Sequence, residues 1–543
     1  MSLSLRTRRW MDLPYKASIE MRSLAAMFRC GMIGIESPAR TLKVVRTLNQ
    51  LGPFGAASRI AAIRHGDQPA IADEQGEITF SELDELVNRF ANALTDRGLG
   101  THSTIGILCR NHRIPLIAAF AASRTGINAV WLNTSFSVRQ AKEVAEREGI
   151  DLLVHDVEFE EAAAAIDLHS GHIVCLSDDG SADDAETIMA GASPKPPPTP
   201  ESPGKIVLLT SGTTGTPKGA PRPEPRSLAL PGAVLGRMPM RPREATVIGP
   251  PIYHGTGLLI ALLSIGLGSK LVLRRRFDPA LMLNDIERHQ ATTVCVVPIM
   301  LKRLLRLSDE TFNDHDLSSV RAIFCAGSQL PGEVALNAMD RFGEVVYNLY
   351  GSTEVSLATF ATPSDLRADP TSVGKCALGS RVRVLDDVGN DVPAGTIGRI
   401  FVGTTSPFEG YTGGGAKEII DGLLASGDLG HFDQERRLHI DGRDDEMIVS
   451  GGENVFPHEV EEILHSHPAL DDAAVIAVED EEFGQRLRAY VVLAEGQETS
   501  EAEVKDFVKA NLANFKTPRD VIFRDELPRN PTGKVLKRLL PTD

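Results

Sequence analysis

The stretch TSGTTGTPKGA, residues 210–220, decides how this chain is read. It follows the apolar run Ile206-Val207-Leu208-Leu209 and sets three glycines, four threonines and one lysine into eleven residues. A strand feeding such a turn offers backbone N–H groups and hydroxyls to phosphate oxygens, and Lys218 adds a positive charge. The Walker pattern G-x-x-x-x-G-K-[ST] does not fit. Counting from Gly212, proline stands at the loop-glycine position, and Gly219 replaces the hydroxyl that would hold magnesium. An ordinary turn of small polar residues would need neither the lysine nor so many donors.

Outward from this loop the pattern alternates. AIAD (70–73) and ITF (78–80) read as a hairpin, followed by SELDELVNRFANALTDRGL with apolar residues at helical spacing. Ser81 is the expected cap of that helix and Gly98 its end. TIGILC, INAVWLN, DLLVHD and HIVCLSDD read as strands around a helix at PLIAAFAASRTG. The proline-rich run GASPKPPPTPESPGK (191–205) cannot hold a helix and reads as a surface connection between two lobes. Beyond it KLVLRRRF, TTVCVVP and VRAIFCAG resume the rhythm, which is that of an α/β protein with largely buried strands. Short glycine-bounded strands over about 380–440 predict a small β-barrel-like subdomain, and the tail beyond it predicts a compact α+β domain.

At 543 residues the chain is long enough for two or more domains. A net charge of -16 argues against a general nucleic-acid binder. The six cysteines form no CxxC pair, which supports neither a zinc site nor a disulfide scaffold and points to a reducing, cytoplasmic setting. GLLIALLSIGLG (257–268) is too short to cross a bilayer and reads as a buried helix. Residues 1–60 form a basic arm, with Arg6, Arg8, Arg9, Lys16, Arg22, Arg29, Arg40, Lys43, Arg46 and Arg59 against Asp12, Glu20 and Glu36. Two readings of the arm stand. One packs it on the acidic body, and this is favoured; the other lays it peripherally on the inner membrane surface.

Four further motifs follow the loop in order: YGSTE (350–354), SGD (426–428), GRDDEMIVSGGENVFPHEVEEIL (442–464) and NPTGKVLKR (530–538). From about residue 60 to the end, the set resembles the adenylate-forming family of acyl-CoA synthetases, aryl-CoA ligases, luciferases and peptide-synthetase adenylation domains. It looks most like the fatty-acid–CoA ligases. The resemblance implies a large multi-subdomain adenylation domain (61–444) with α/β-sandwich sheets and the barrel-like part, then a small mobile domain (445–543). It also implies ATP, Mg2+ and coenzyme A as cosubstrate. A carboxylate is a poor electrophile, so the acid is first made an acyl-adenylate with release of pyrophosphate, while positive groups and a metal stabilise the shifting charge.

The resemblance also implies the roles. Thr210, Ser211, Gly212, Thr213, Thr214, Gly215 and Lys218 would surround the phosphates, with Thr214 and Glu354 toward magnesium. Thr353 would contact the α-phosphate, Tyr350 and Gly351 would lie near the adenine, and Asp428 would accept from the ribose hydroxyls with Arg443 assisting. Gly327 and Ser328 belong to AGSQLP (326–331), a loop lining the adenine and acyl pockets, where Ala326 and Ser328-Gln329 depart mildly from the pattern. His254 in PIYHGTG (251–257) would shape the acyl pocket, not act as a base or a zinc ligand. Lys534 would reach the acyl and α-phosphate oxygens, while Lys537 reads as a surface charge. Asp445 would be the hinge, and Ser450, Gly451, Gly452 and Glu453 would admit the pantetheine arm of coenzyme A.

The function expected is therefore an AMP-forming fatty-acid–CoA ligase taking a small-molecule carboxylic acid, of open oligomeric state. A hydrophobic acid is favoured because Ile252, Leu258, Leu259, Val296, Val297, Ile299 and Leu349 are apolar. Two alternatives stand beside it: a fatty acyl-AMP ligase loading a carrier protein, and a non-catalytic lipid- or nucleotide-binding homologue. The first usually needs an insertion, for which the dozen residues between SGD and GRDDE leave no room at that join. Loss of Lys218, Glu354, Asp428 or Lys534 would have marked the second; all four are present.

Overall fold

A computed structural model describes residues 13–176, 184–210, 218–222, 227–405, 410, 417–444, 448–450, 453–480, 484–531 and 533–542. The chain divides into two compact units, one made of Met11–Phe324 with Thr405–Lys417 and one that includes Cys325–Thr404 and Glu418–Asp543.

In the first unit, the strands His172–Cys175, Leu152–Asp156, Thr104–Leu108, Asn128–Trp131, Ile206–Thr210 and Lys218–Arg222 form a six-stranded sheet in that order. All neighbours are parallel except the last pair, a hairpin. A second group runs Ala291–Val296, Ala245–Ile248, Lys270–Leu273, Pro69–Asp73 and Gly76–Thr79, parallel until its own final hairpin. Strands such as Thr104–Leu108, Leu152–Asp156 and Ala291–Val296 are buried throughout, as strands of a parallel sheet covered on both faces are.

Helix Phe80–Asp96 is capped by Thr79, whose hydroxyl accepts from Glu82 N while the Glu82 carboxylate accepts from Thr79 N. The cap is thus two residues before the expected Ser81. Helix Arg113–Thr125 ends at Gly126 in the left-handed conformation. Its buried Arg124 donates to Asp84 (2.8 Å), Ser58 (2.7 Å) and Asn88 (2.5 Å), tying three helices together inside the unit. GLLIALLSIG lies within the helix Gly255–Gly266, largely buried as expected. The proline-rich run does not bridge two lobes. It belongs wholly to this unit, where Arg89 and Asn92 donate to the carbonyls of Ala192, Ser193 and Lys195.

The arm contributes helix Leu13–Arg29, which buries Ile19, Ser23, Ala26 and Met27 along one face. Glu20 accepts from Ser227 Oγ (2.5 Å) and Leu228 N (2.9 Å), and Gly232 lies so close that an added Cβ would meet Ser23 at 2.4 Å. One face of the arm is therefore packed on the body.

The second unit holds three groups of strands, mostly antiparallel, although Asp520–Arg524 pairs parallel with Gly484–Leu493. Val346–Ser352, Ser356–Ala361 and Lys375–Cys376 pair in sequence. A barrel-like sheet follows the order Ser380–Leu385, Gly398–Thr404, Leu423–Phe432, Ile419–Ile420, with Leu438–Arg443 also on Leu423–Phe432. The tail forms a sheet around Leu470–Asp480 and Gly484–Leu493, and helices Pro457–His465 and Glu501–Asn511 bury Val460, Leu464, Val504 and Val508 in its core.

Candidate active site

The phosphate-loop motif spans a hairpin. Thr210 and Lys218 are opposed at the ends of antiparallel strands, so the loop returns as a strand and does not open a helix as a Walker loop does. Ser211, Gly212, Thr213, Thr214 and Gly215 lie outside the described residues.

YGSTE occupies a second hairpin, Val346–Ser352 against Ser356–Ala361, with a register shift between Tyr350 and Gly351. Gly351 is dictated by space, since a Cβ there would stand 1.8 Å from the Ser356 carbonyl oxygen. At the tip the Ser352 hydroxyl donates to Glu354 Oε2 (2.7 Å) and accepts from Glu354 N and Val355 N, which fixes the turn carrying Thr353 and Glu354.

Asp428 is the centre of the assembled part. It sits on Leu423–Phe432 directly opposite Arg443, whose Nη1 donates to its Oδ1 at 3.0 Å. The Tyr350 hydroxyl donates to Oδ2 at 2.5 Å, and Asp428 N donates to Ser426 Oγ. Burial and the adjacent Asp428 charge hold the Tyr350 phenol well above its ordinary range, so it stays a donor at every physiological pH. Each carboxylate oxygen carries about two acceptor sites, which leaves capacity for a pair of vicinal hydroxyls. Gly427, at φ +88, brings its backbone beside the Arg443 guanidinium.

In the AGSQLP loop, Gly327 has a positive φ, and Gln329 Nε2 meets His458 Nε2 at the start of helix Pro457–His465. That contact was not foreseen. Lys534 is exposed on a turn closed by Asn530: Lys534 N donates to the Asn530 side chain (2.9 Å), and Asn530 N to the Lys534 carbonyl. Arg529 braces the turn by donating to the Gly533 carbonyl and to Asp472. Lys537 is not a bland surface charge, because it pairs at 2.9 Å with the half-buried Glu461. Burial pushes the Glu461 carboxyl up, but Lys537 and the Val475 N–H together bring it below its ordinary value. Ser450 and Glu453 are paired across a hairpin whose tip, Gly451 and Gly452, lies outside the described residues, as does Asp445.

In the first unit PIYHGTG is strapped by Asn111, which accepts from Ile252 N (2.8 Å) and donates to the Pro250 carbonyl (2.9 Å). The Tyr253 hydroxyl donates to Asn133 Oδ1 and shares a 2.8 Å hydrogen bond with the Thr134 hydroxyl, and the tyrosine ring lies 4.6 Å from that of His254. His254 Nε2 is sealed from solvent, with no hydrogen-bond partner among the described residues, and burial pushes the imidazole down to about 4. The ring is neutral at pH 7, which suits a wall of a pocket better than a cationic acid. The unfolded His254 binds its proton from about pH 6.5 downward, the folded one only near 4. Stability is therefore full above pH 6.5 and falls as pH drops toward 4, by up to ~3 kcal/mol from this group. His254→Gln should flatten that slope in urea unfolding compared at about pH 7 and about pH 4.5.

The AMP-binding enzyme family matches residues 59–412, and the AMP-binding enzyme C-terminal domain matches 459–534. This chain belongs to that family. It is 30% identical over 483 residues to a feruloyl-CoA synthase of Amycolatopsis sp, covering 88% of this chain and 94% of the relative. It is 29% identical over 485 residues to the fatty acid–[acyl-carrier-protein] ligase ScoC of Streptomyces coeruleorubidus, covering 87% and 92%. The ATP-bound structure of MatB from Rhodopseudomonas palustris superposes with a TM-score of 0.77 at 28% identity, over 89% of this chain and 98% of that one.

Glu354 presents a carboxylate, an oxygen donor of the hard kind that could hold a magnesium ion, on a turn its neighbour Ser352 already fixes. Another ligand-like group, Cys109, His112 and Asp156, gathers in the first unit, with Cys175 Sγ 3.9 Å from Cys109 Sγ. Its polar atoms are already engaged: His112 Nε2 bonds Asp156 (2.8 Å), Nδ1 accepts from Ile114 N, and Asp156 Oδ2 accepts from Arg110 N. It locks a strand end to a helix start. Of the seven apolar residues expected at the acyl pocket, Ile252, Leu258, Val296 and Val297 are core, while Leu259, Ile299 and Leu349 are half-buried.

Proposed function

We propose that this AMP-binding enzyme is an AMP-forming acyl–CoA ligase acting on a hydrophobic carboxylic acid, of the fatty-acid–CoA ligase type. The observation that carries the reading is Asp428 held between the Tyr350 hydroxyl and Arg443, a preoriented acceptor for the two ribose hydroxyls of ATP. Thr210, Lys218 and the loop between them would hold the β- and γ-phosphates, Thr353 would meet the α-phosphate, and Glu354 with Thr214 would hold Mg2+. The metal, when bound, neutralises charge on the phosphates as pyrophosphate leaves. Lys534 would place a cation where the acid's carboxylate meets the α-phosphorus, lowering the repulsion between two anions.

The part from Asp445 onward would then turn as a mobile domain, bringing Ser450–Glu453 to the acyl-adenylate so that the coenzyme A thiol attacks it. His254, neutral and unbonded at Nε2, would line the acyl side. Preference for a hydrophobic acid is supported by the half-buried Leu259 and Ile299, and feruloyl and fatty acids are handled by the two relatives named above. ScoC favours a second reading, transfer to a carrier protein. Against it, residues 429–441 are fully used by two paired strands and the turn that joins them, leaving no insertion there.

A screen of AMP release over acids from acetate to very long chains, with aryl and bile-acid-like acids included, tests the reading. Release should require coenzyme A and rise with the apolar size of the acid. Best turnover with a small polar acid would refute the substrate class. Release supported by a carrier protein and not by coenzyme A would replace the ligase reading with the second one.

A further inference from the structure

The N-terminal helices show the body one face and solvent another, and the second face is apolar. Among the described residues, nine of the seventeen exposed large apolar side chains fall between Leu13 and Leu48. On helix Leu13–Arg29, Leu13, Leu24, Phe28 and Met21 lie on one arc of about 80° at 100° per residue, beside the arc that is buried. Met21 is 70% exposed. Ile35, 95% exposed, follows in the connection. The next helix, Pro38–Gly55, buries only Val44 and Gly55 and exposes Leu42, Val45 and Leu48. The segment breaks at Gly52 (φ 67°, ψ 171°), and its helical run over 38–51 buries only Val44, so it does not hold its shape through core packing of its own and its apolar arc calls for a cover.

The charges say what kind. Arg22, Arg29, Arg40, Lys43 and Arg46 are exposed on the same two helices. The two acids of this region, Glu20 and Glu36, are turned to the body by Ser227, Leu228 and Arg64. What remains outward is apolar surface accompanied by cations, with Arg46 next to Leu42 on the second helix and Arg22 and Arg29 about 80–100° beyond Met21 around the first, in a protein of net charge -16. No helix among the described residues is long and apolar enough to cross a membrane. A second copy would bring the same cations face to face in a two-fold pair, which like-charge repulsion opposes. We infer that this face lies on an anionic lipid surface, with the apolar strip in the headgroup–acyl boundary and the cations at the phosphates. On this inference the arm packs on the body through one face and meets lipid through the other.

Co-sedimentation of the full chain with phosphatidylcholine vesicles containing phosphatidylglycerol, against pure phosphatidylcholine, tests this. The protein should pellet with the mixed vesicles and remain in solution with the pure ones. Arg22→Gln, Arg29→Gln, Lys43→Gln and Arg46→Gln together should weaken binding by about fivefold per charge at low salt, and added salt should reproduce the loss. Met21→Ser, Leu24→Ser and Leu42→Ser together should abolish binding at every salt concentration, while ATP–pyrophosphate exchange and the melting curve stay as in the parent. These side chains touch solvent, so folding should be unaffected. Equal pelleting of the parent and both variants, or no pelleting with either vesicle, overturns the inference. So does self-association in sedimentation velocity that the serine variant removes without any lipid binding, since the cover would then be a second copy.

Discussion

Lys534→Ala is expected to slow acyl-adenylate formation by ~10²–10³, the scale of losing one preorganised electrostatic donor. Its side chain is exposed, and the turn that presents it is held by Asn530 and Arg529 through backbone groups and Asp472. Removing the side chain therefore leaves the turn standing, and the melting curve should not move. The cation would act where pyrophosphate departs, so thioester formation from a supplied acyl-adenylate should be much less affected. ATP–pyrophosphate exchange measures the first step, and coenzyme A consumption with synthetic acyl-adenylate measures the second. Equal damage to both would reduce Lys534 to a structural part of its turn.

Asp428→Ala should weaken ATP binding by ~10²–10⁴-fold, because hydrogen bonds to a charged group contribute about 1.5–3 kcal/mol each and two are lost. The substitution also leaves Arg443 and the Tyr350 hydroxyl without their shared acceptor, which disturbs the site apart from any ribose contact. A cycle with 2′-deoxy-ATP separates the two effects. The parent should bind the deoxy nucleotide less well than ATP, and Asp428→Ala should bind both alike. If the variant still discriminates as the parent does, Asp428 is not the ribose ligand. Asp428→Asn should fall between, keeping an acceptor for Tyr350 while losing the charge that balances Arg443.

The positions of the motifs were legible because each is a local run of chain whose residue types serve one task. Elements were legible where their period was long. The helix over residues 80–96 shows its apolar spacing plainly, yet its cap is Thr79, since the reciprocal bond with Glu82 needs a three-residue spacing that Ser81 does not have. Buried strands such as Thr104–Leu108 announced themselves as largely apolar runs. The proline-rich run showed that it holds no helix, but not that Arg89 and Asn92 fasten it along a neighbouring helix. Lys537 looked like a solvated charge because nothing beside it in sequence is acidic. Its partner Glu461 arrives on another helix.

Sequence by itself determined the α/β class, the place and order of the motifs, the family resemblance and the basic character of the arm, all of which depend on residue type and short spacing. Tertiary structure alone decided that Tyr350 and Asp428, 78 positions apart, share a hydrogen bond, that Asn111 straps Ile252 from 141 positions away, and that Gln329 meets His458. It alone also divided the arm into a packed face and an exposed one. The physical reason is the same in each case. Period and composition describe what a segment can bury or donate, whereas the identity of its partner depends on chain crossings that no local pattern encodes.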